Sequence, residues 1–113
     1  MHLLTWAHRG MFSYTGSVLS GTEIEYGAGS VSTTAATPFL IRVTAQQYRA
    51  LLAAFAGVRV AVGTSRDPRA GTLEYWLQEN VTRTATASYV APILIYEGYA
   101  RRVMGSDTDI EFV

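Results

Sequence analysis

VTAQQYRALLAAFAG, residues 43–57, predicts a helix whose two ends are both marked in the sequence. Thr44 is a favourable N-cap residue. Gln47, three positions later, completes a capping box, in which each side chain accepts a hydrogen bond from the other residue's backbone N–H. Apolar side chains then recur on one helical stripe, formed by Tyr48, Leu51, Leu52 and Phe55. Gly57 predicts the end of the helix, because glycine adopts the left-handed cap conformation at little cost. We therefore expect a helix over residues 44–56.

The residues before this helix, 1–43, are predicted to be rich in β structure. Between residues 11 and 20, apolar and polar side chains alternate, with one side formed by Phe12, Tyr14, Gly16 and Val18. Ser20-Gly21 is a predicted hairpin turn between two such strands. Residues 27–38, GAGSVSTTAATP, are small, polar and aperiodic. They leave three interpretations open: a flexible loop, an arm that orders against a partner, or a strand of low contrast.

The residues after the helix are predicted to continue as a strand and a second helix. VRVAVG, residues 58–63, places three valines on one face of a short strand, namely Val58, Val60 and Val62. A helical pattern then begins at Thr72, with apolar side chains at Leu73, Trp76, Leu77 and Val81.

Residues 82–97 leave two interpretations open. YVAPILIY, residues 89–96, is rich in the β-branched and aromatic residues that favour strands. The apolar spacing nevertheless suits a helix face, and we favour a helix that is kinked at Pro92 or starts near it, because proline disrupts a helix interior. YARRVM and DIEFV then predict a terminal hairpin around the turn GSDT.

Together these elements predict a single α+β domain over residues 1–113. Its N-terminal β-hairpin region, 1–43, precedes an α+β unit, 44–113, in the order helix, strand, helix, helix, hairpin. The chain is 49% apolar and 16% charged, against about 25% charged in ordinary domains. So few charges suggest that a partner or further copies of the chain cover part of the surface. A compact monomer with a Ser/Thr-rich surface is the alternative.

The composition also bounds the setting in which the protein works. There is no cysteine, which excludes a disulfide framework and a thiolate metal site. No apolar run reaches the ~18 residues of a membrane span, and MHLLTWAHRG lacks the pattern of a signal peptide. We expect a soluble protein that is not secreted, located in the cytoplasm or a virion, with no membrane partner. The formal net charge of zero provides no general attraction to nucleic acid.

Residues 44–113 resemble a winged helix-turn-helix domain. Trp76, Leu77 and Val81 would end the first helix of the pair, TRTATASYV would open the second, and EGYARRV with GSDTDIEFV would form the wing. In that family the second helix enters the DNA major groove, led by its N-terminal side chains. The resemblance implies base contacts and phosphate contacts from a set of seven residues: Thr82, Arg83, Thr84, Thr86 and Ser88, with Arg101 and Arg102 near phosphates.

The chain shows little catalytic chemistry. Its two histidines, His2 and His8, have no spacing that predicts a metal site, and no serine has an evident base. The loop GTSRDPRAG, residues 63–71, runs from a strand toward a helix start, where backbone N–H groups favour anions. Ser65, Arg66 and Arg69 are therefore weak candidates for anion binding, with a plain polar connection as the alternative. We expect no enzymatic activity and no cofactor.

The aromatic residues supply the candidates for an interaction surface, because tyrosine and tryptophan bury a large area while keeping a polar group. The candidate contact residues are Trp6, Tyr14, Tyr96, Tyr99, Arg101 and Arg102. The leading hypothesis is a non-enzymatic assembly or protein-interaction subunit, such as a component of a phage particle. It would bind its own copies or a larger assembly by β-strand addition through the N-terminal segment. The alternative is a winged-helix DNA-binding regulator with nucleic acid as its partner.

Overall fold

The computed structural model describes residues 1–7, 10–26, 39–64 and 68–113. Residues 27–38, which carry the predicted loop or arm, therefore lie outside the described part of the chain. Within the described ranges helices and antiparallel sheets are mixed, which confirms the predicted α+β class. The elements in chain order are β1 (His2–Leu4), β2 (Met11–Ser17), β3 (Gly21–Tyr26), β4 (Phe39–Thr44), α1 (Ala45–Ala54), β5 (Arg59–Ala61), α2 (Leu73–Asn80), α3 (Ala87–Tyr96), β6 (Ala100–Arg102) and β7 (Asp109–Phe112).

The first four strands form an antiparallel sheet in the order β1-β2-β3-β4, which we call the large sheet. The predicted alternation is confirmed, because Phe12 and Tyr14 of β2 and Val18, just after the strand, are buried. The predicted hairpin is also present, with Ser17 opposite Gly21. Gly16 has a φ of +87°, and a Cβ there would lie 2.1 Å from the carbonyl oxygen of Gly21. This hairpin therefore requires a residue without a side chain at position 16.

Helix α1 has the ends that its sequence predicts. The Thr44 hydroxyl accepts from the Gln47 backbone N–H over 3.1 Å, and the Thr44 backbone N–H donates to Gln47 Oε1 over 2.9 Å. Tyr48 and Leu51 are fully buried. The helix ends at Ala54, with Phe55 as its C-cap, and Gly57 follows with a φ of +69°. It is slightly shorter than the predicted range of 44–56.

The C-terminal strands form a second antiparallel sheet in the order β5-β7-β6, which we call the small sheet. The predicted terminal hairpin is present as β6 and β7. Strand β5 is shorter than predicted, and of its three valines only Val60 and Val62 are buried. Val58 is 44% exposed because it precedes the strand, in the turn where its N–H bonds the Phe55 carbonyl.

For residues 82–97 the sequence left both a helix and a strand open. In the structure, Ala87–Tyr96 of this range form helix α3. It begins at Ala87 and contains Pro92 in its interior, so it does not start near the proline. Pro92 has no N–H to give to the carbonyl of Ser88, and the backbone N–H of Trp6 donates to that carbonyl instead over 2.8 Å. The missing helical hydrogen bond is thus replaced by a tertiary one, which lets the helix continue through the proline.

The core lies around α3. Most of this helix is buried, with Val90, Ile93 and Leu94 fully inaccessible to solvent. One cluster of buried side chains joins it to the inner face of the large sheet, to α1 and α2, and to Ile110 and Phe112 of the small sheet. Among the described residues, no helix has the length and apolar character needed to cross a membrane.

Candidate interaction surface

The predicted contact residues are only partly brought together by the fold. The guanidinium carbon of Arg102 lies 4.4 Å from the ring centroid of Trp6, a cation–π arrangement. Tyr96 is exposed and Tyr99 is half-buried near the start of β6. Arg101 forms an ion pair with Glu111 on the neighbouring strand. Trp6 and Arg102 therefore form a contact within the protein.

Tyr14 lies in the core, where it cannot anchor a partner. Its hydroxyl donates to Glu97 Oε2 over 2.8 Å, and the other carboxylate oxygen of Glu97 accepts from the Val18 backbone N–H over 2.9 Å. Burial, and secondly the hydrogen bond with Glu97, raise the pKa of Tyr14 well above its usual range. Glu97, at the C-cap of α3, thus fastens this helix to the β2–β3 hairpin.

The residues implied in DNA reading differ in exposure, and the one at the N-cap of α3 is buried against an acidic group. Thr86 is fully buried, and its backbone N–H donates to the carboxylate of Glu74 over 3.2 Å. The Ala87 N–H donates to the same carboxylate over 3.4 Å. The N-terminus of α3 is therefore already bonded to an anion of the protein itself. Arg83 and Thr84 are exposed, whereas Thr82 and Ser88 are half-buried.

Glu74 has a structural role at the start of α3 that sequence reasoning missed. Its carboxylate is buried, and burial raises its pKa although hydrogen bonds from Thr86, Ala87 and Gln78 act in the opposite direction. The only sequence signal is an acidic residue in the first turn of α2, which ordinarily lies in solvent. Its role as the N-terminal partner of α3 depends on how the two helices pack.

Of the weak anion-binding candidates, only one lies within the described residues. Ser65 and Arg66 lie outside the described residues, and Arg69 is exposed. In the described part of the chain, no group of three or more His, Asp or Glu side chains could hold a metal ion. A shallow depression of about 220 Å³ lies beside the start of α1, lined in part by Glu23 and Arg42. These two side chains form an ion pair over 2.7 Å.

The outer face of the small sheet is neutralised by its own charges. Arg59 bonds Asp109 over 2.8 Å, and Arg101 bonds Glu111. Two cations thus face two anions across three short strands, and the hydrogen bond with Arg59 lowers the pKa of Asp109. Such a solvated, neutral face offers neither an apolar contact nor a basic patch for phosphate.

One end of the large sheet, in contrast, exposes apolar side chains. Leu4 lies opposite Met11 in the register of β1 and β2, and both are exposed. At the same end, Phe39 and Leu40 begin β4 and are 56% and 55% exposed. We call this set, Leu4, Met11, Phe39 and Leu40, the apolar end. Exposed large apolar side chains at one end of a sheet can contribute to a contact surface.

A row of aromatic rings connects Phe39 to the core. Phe39 stacks on Tyr26 with ring centroids 5.5 Å apart, and Tyr26 stacks on Tyr89 at 4.8 Å. Tyr89 meets Phe12 edge-to-face at 5.2 Å. Because each ring is held by the next, Phe39 is positioned by packing although more than half of it is accessible.

Among the described strands, β4 also lies at the edge of the large sheet. It pairs with β3 along six residues, from Gly21 opposite Thr44 to Tyr26 opposite Phe39. No other described strand pairs with its far side. Charged side chains are one common protection of a sheet edge. On β4 the charge is Arg42, which pairs with Glu23 while its side chain stays 76% exposed. Sequence reasoning did not single out this strand, although the run FLIRVT before the capping box was available as a signal.

Comparison of the chain with protein-family models, with curated proteins and with solved structures gives no match.

Proposed function

We propose that this chain is a non-enzymatic assembly or interaction subunit, which acts by burying the edge of the large sheet against a protein. The observation that carries the proposal is the exposure of Phe39 and Leu40 on an edge strand. Consecutive residues of a strand point to opposite faces. Apolar side chains are therefore accessible on both faces at the same point of the edge.

The chemistry of β4 suits strand addition. An added strand gains affinity from main-chain hydrogen bonds and specificity from alternate side chains. The inner row of β4 consists of Phe39, Ile41 and Val43, all apolar, and Phe39 extends the aromatic row to the edge. A partner strand would continue this inner row and cover the accessible part of Phe39.

The low charge of the whole chain supports the same role. A chain with only 16% charged residues is easier to keep soluble when part of its surface is covered in an assembly. A component of a phage particle is one setting with this profile, as a small, cysteine-free chain of low charge.

A winged-helix DNA-binding role is the second candidate. It is favoured by the element order α1, β5, α2, α3, β6, β7, which is the order on which the resemblance rests. The burial of α3, the Glu74 carboxylate at its N-terminus and the Arg101–Glu111 pair weigh against it. Affinity for duplex DNA comes largely from cations free to neutralise phosphates.

The test uses the purified full chain as bait in extracts of the cells that encode it. The double variant Phe39→Ser/Leu40→Ser should lose the proteins that the wild type retains. Leu19→Ser is the matched control, because Leu19 is 70% exposed in the turn at the opposite end of the same sheet. Equal retention by all three proteins would show that the β4 edge is not the contact surface.

A further inference from the structure

We infer that the partner of the β4 edge is a second copy of this chain, with the two β4 strands paired antiparallel about a two-fold axis. This inference rests on the proposed function and names its partner. The two large sheets would then join into one continuous sheet. Two-fold symmetry is the commonest arrangement for identical chains, and it requires the contact to be self-complementary.

The geometry of the sheet restricts the possible registers. A two-fold axis perpendicular to the sheet keeps both inner faces on the same side. Directly opposed residues in an antiparallel pair also share a face. The axis must therefore pass beside a single residue of β4, which opposes its own copy. For the central part of the strand that residue is Leu40, Ile41 or Arg42.

The three registers differ in which charged residues they oppose and in how many residues of β4 they pair. A pairing centred on Arg42 sets two like charges directly opposite each other, which is destabilising. A pairing centred on Leu40 engages only Phe39–Ile41 of the strand residues. A pairing centred on Ile41 engages five residues of each copy, 39–43. Counting only residues that the structure describes, it is therefore the longest register without opposed like charges.

The Ile41-centred register matches side chains on both faces. On the inner face Phe39 meets the partner's Val43, and Ile41 meets the partner's Ile41. On the outer face Leu40 meets the partner's Arg42, whose aliphatic stem packs on apolar surface while its charge remains in solvent. Each of these contacts except the central one occurs twice, once on either side of the axis.

Glu25 gives this register charge complementarity. It is exposed, lies opposite Leu40 in the β3–β4 ladder, and forms no ion pair with any described residue. With strands about 4.8 Å apart, the partner's Arg42 would lie two strands away, at roughly 10 Å between backbones. An arginine and a glutamate side chain can span that separation. Each Arg42 would then lie between Glu23 of its own chain and Glu25 of the other.

The first experiment measures molar mass by sedimentation equilibrium over a wide range of concentration. We expect the wild type to approach twice the chain mass of 12.3 kDa as concentration rises. Leu40→Lys, which puts a like charge beside the partner's Arg42, should raise the dissociation constant about tenfold or more. Leu40→Glu should keep or tighten the dimer, and Leu19→Lys should leave it unchanged. The reversed order for Lys and Glu separates charge complementarity from simple loss of an apolar side chain.

The second experiment tests the register by disulfide formation, for which a chain without cysteine is suited. Opposed residues of an antiparallel pair lie about 4.5–5.5 Å apart between Cα atoms, a distance that a disulfide can bridge. A mixture of Leu40→Cys and Arg42→Cys proteins should form a mixed disulfide faster than either variant alone. Faster cross-linking of either variant with itself would overturn the Ile41-centred register.

A wild type that stays monomeric at every concentration would overturn the pairing with a second copy. If Phe39→Ser/Leu40→Ser still abolished retention of another protein, the proposed function would survive with that protein at the edge. If neither self-association nor retention depended on the β4 edge, both proposals would fail.

Discussion

The backbone N–H of Trp6 donates to the carbonyl oxygen of Ser88 over 2.8 Å, and Ser88 stands four residues before Pro92 in α3. In an unbroken helix the N–H of residue 92 would take this carbonyl. Because Pro92 has no N–H, the Ser88 carbonyl is available, and the Trp6 N–H in the segment after β1 donates to it. Pro92 thereby fastens the N-terminal segment to the central helix, and the Arg102 guanidinium covers the Trp6 ring.

Hydrogen exchange of the Trp6 amide tests this relationship. We expect the amide to exchange slowly in the wild type although Trp6 lies outside the strands. Pro92→Ala supplies a competing N–H inside the helix, so exchange at Trp6 should become faster. The Phe112 amide, bonded to Val58 in the small sheet, serves as the control within the same spectra. Unchanged protection of Trp6 in the variant would contradict the role given to Pro92.

Alanine substitution of two glycines distinguishes a steric clash of the added Cβ from the strain of a positive φ. Gly16 and Gly105 both have positive φ, but a Cβ at Gly105 would meet nothing within 4 Å. Gly105→Ala should therefore cost only the roughly 1–3 kcal/mol of an unfavourable backbone conformation. Gly16→Ala also drives a methyl group into the Gly21 carbonyl, so its loss of unfolding free energy should be clearly larger. Denaturant titrations that rank the two variants equally would refute the close contact.

The buried carboxylate of Glu74 predicts a pH dependence of stability. Its pKa is raised from 4.5 by burial, so the folded state binds this proton more tightly than the unfolded state. The contribution of Glu74 is therefore most favourable below pH 4.5 and is lost as pH rises through the folded pKa.

Comparison with Glu74→Gln isolates this contribution. The unfolding free energy of the wild type minus that of the variant should fall as pH rises from about 4.5, because glutamine does not titrate. Chemical denaturation at a series of pH values measures it. A difference that rises over the same range would mean that the hydrogen bonds from Thr86 and Ala87 outweigh the cost of burial.

The hydrogen bond between the Thr22 and Tyr48 hydroxyls predicts that removing one hydroxyl lowers the free energy of unfolding. The two side-chain oxygens lie 2.7 Å apart in the core, and burial raises the pKa of Tyr48 to about 12. Tyr48→Phe would leave the buried Thr22 hydroxyl without this partner, at an expected cost of about 1–3 kcal/mol. Tyr96→Phe is the matched control, because Tyr96 is exposed and its substitution should be nearly neutral. A thermal or denaturant unfolding series compares the two, and equal stabilities would argue against the bond.

Fluorescence anisotropy with mixed-sequence duplex DNA tests the second candidate function. We expect no binding that depends steeply on salt, since Arg101 is already paired and Glu74 occupies the start of α3. A winged-helix reader would instead bind at low salt, and Arg83→Ala would reduce both its affinity and its salt dependence. That result would favour DNA binding over the assembly role.

The elements that the sequence predicts correctly are those whose signals are local. The capping box of Thr44 and Gln47, the alternation through Phe12 and Tyr14, and the terminal hairpin each depend on residues close together in the chain. Such signals fix backbone conformation and the apolar face of an element. They do not say which other element covers that face.

The candidate contact surface depends on tertiary contacts, which local sequence signals do not predict. Tyr14 is of a residue type that often anchors interfaces. Its hydroxyl instead forms a hydrogen bond in the core with Glu97, 83 residues later in the chain. Phe39 and Leu40 look like ordinary strand residues, yet both are exposed on the strand that is last among the described strands of its sheet. Neither fact can be read from neighbouring residues.

By itself the sequence determined the α+β class, helix α1 and α2, both hairpins and the scarcity of charge. Only the tertiary structure decided that α3 continues through Pro92, because the replacement donor is the distant Trp6 N–H. It also decided that Glu74 is buried and that β4 forms an edge. The physical reason is the same in each case: burial and hydrogen-bond partners across the fold depend on which segments meet, whereas propensity and periodicity act along the chain.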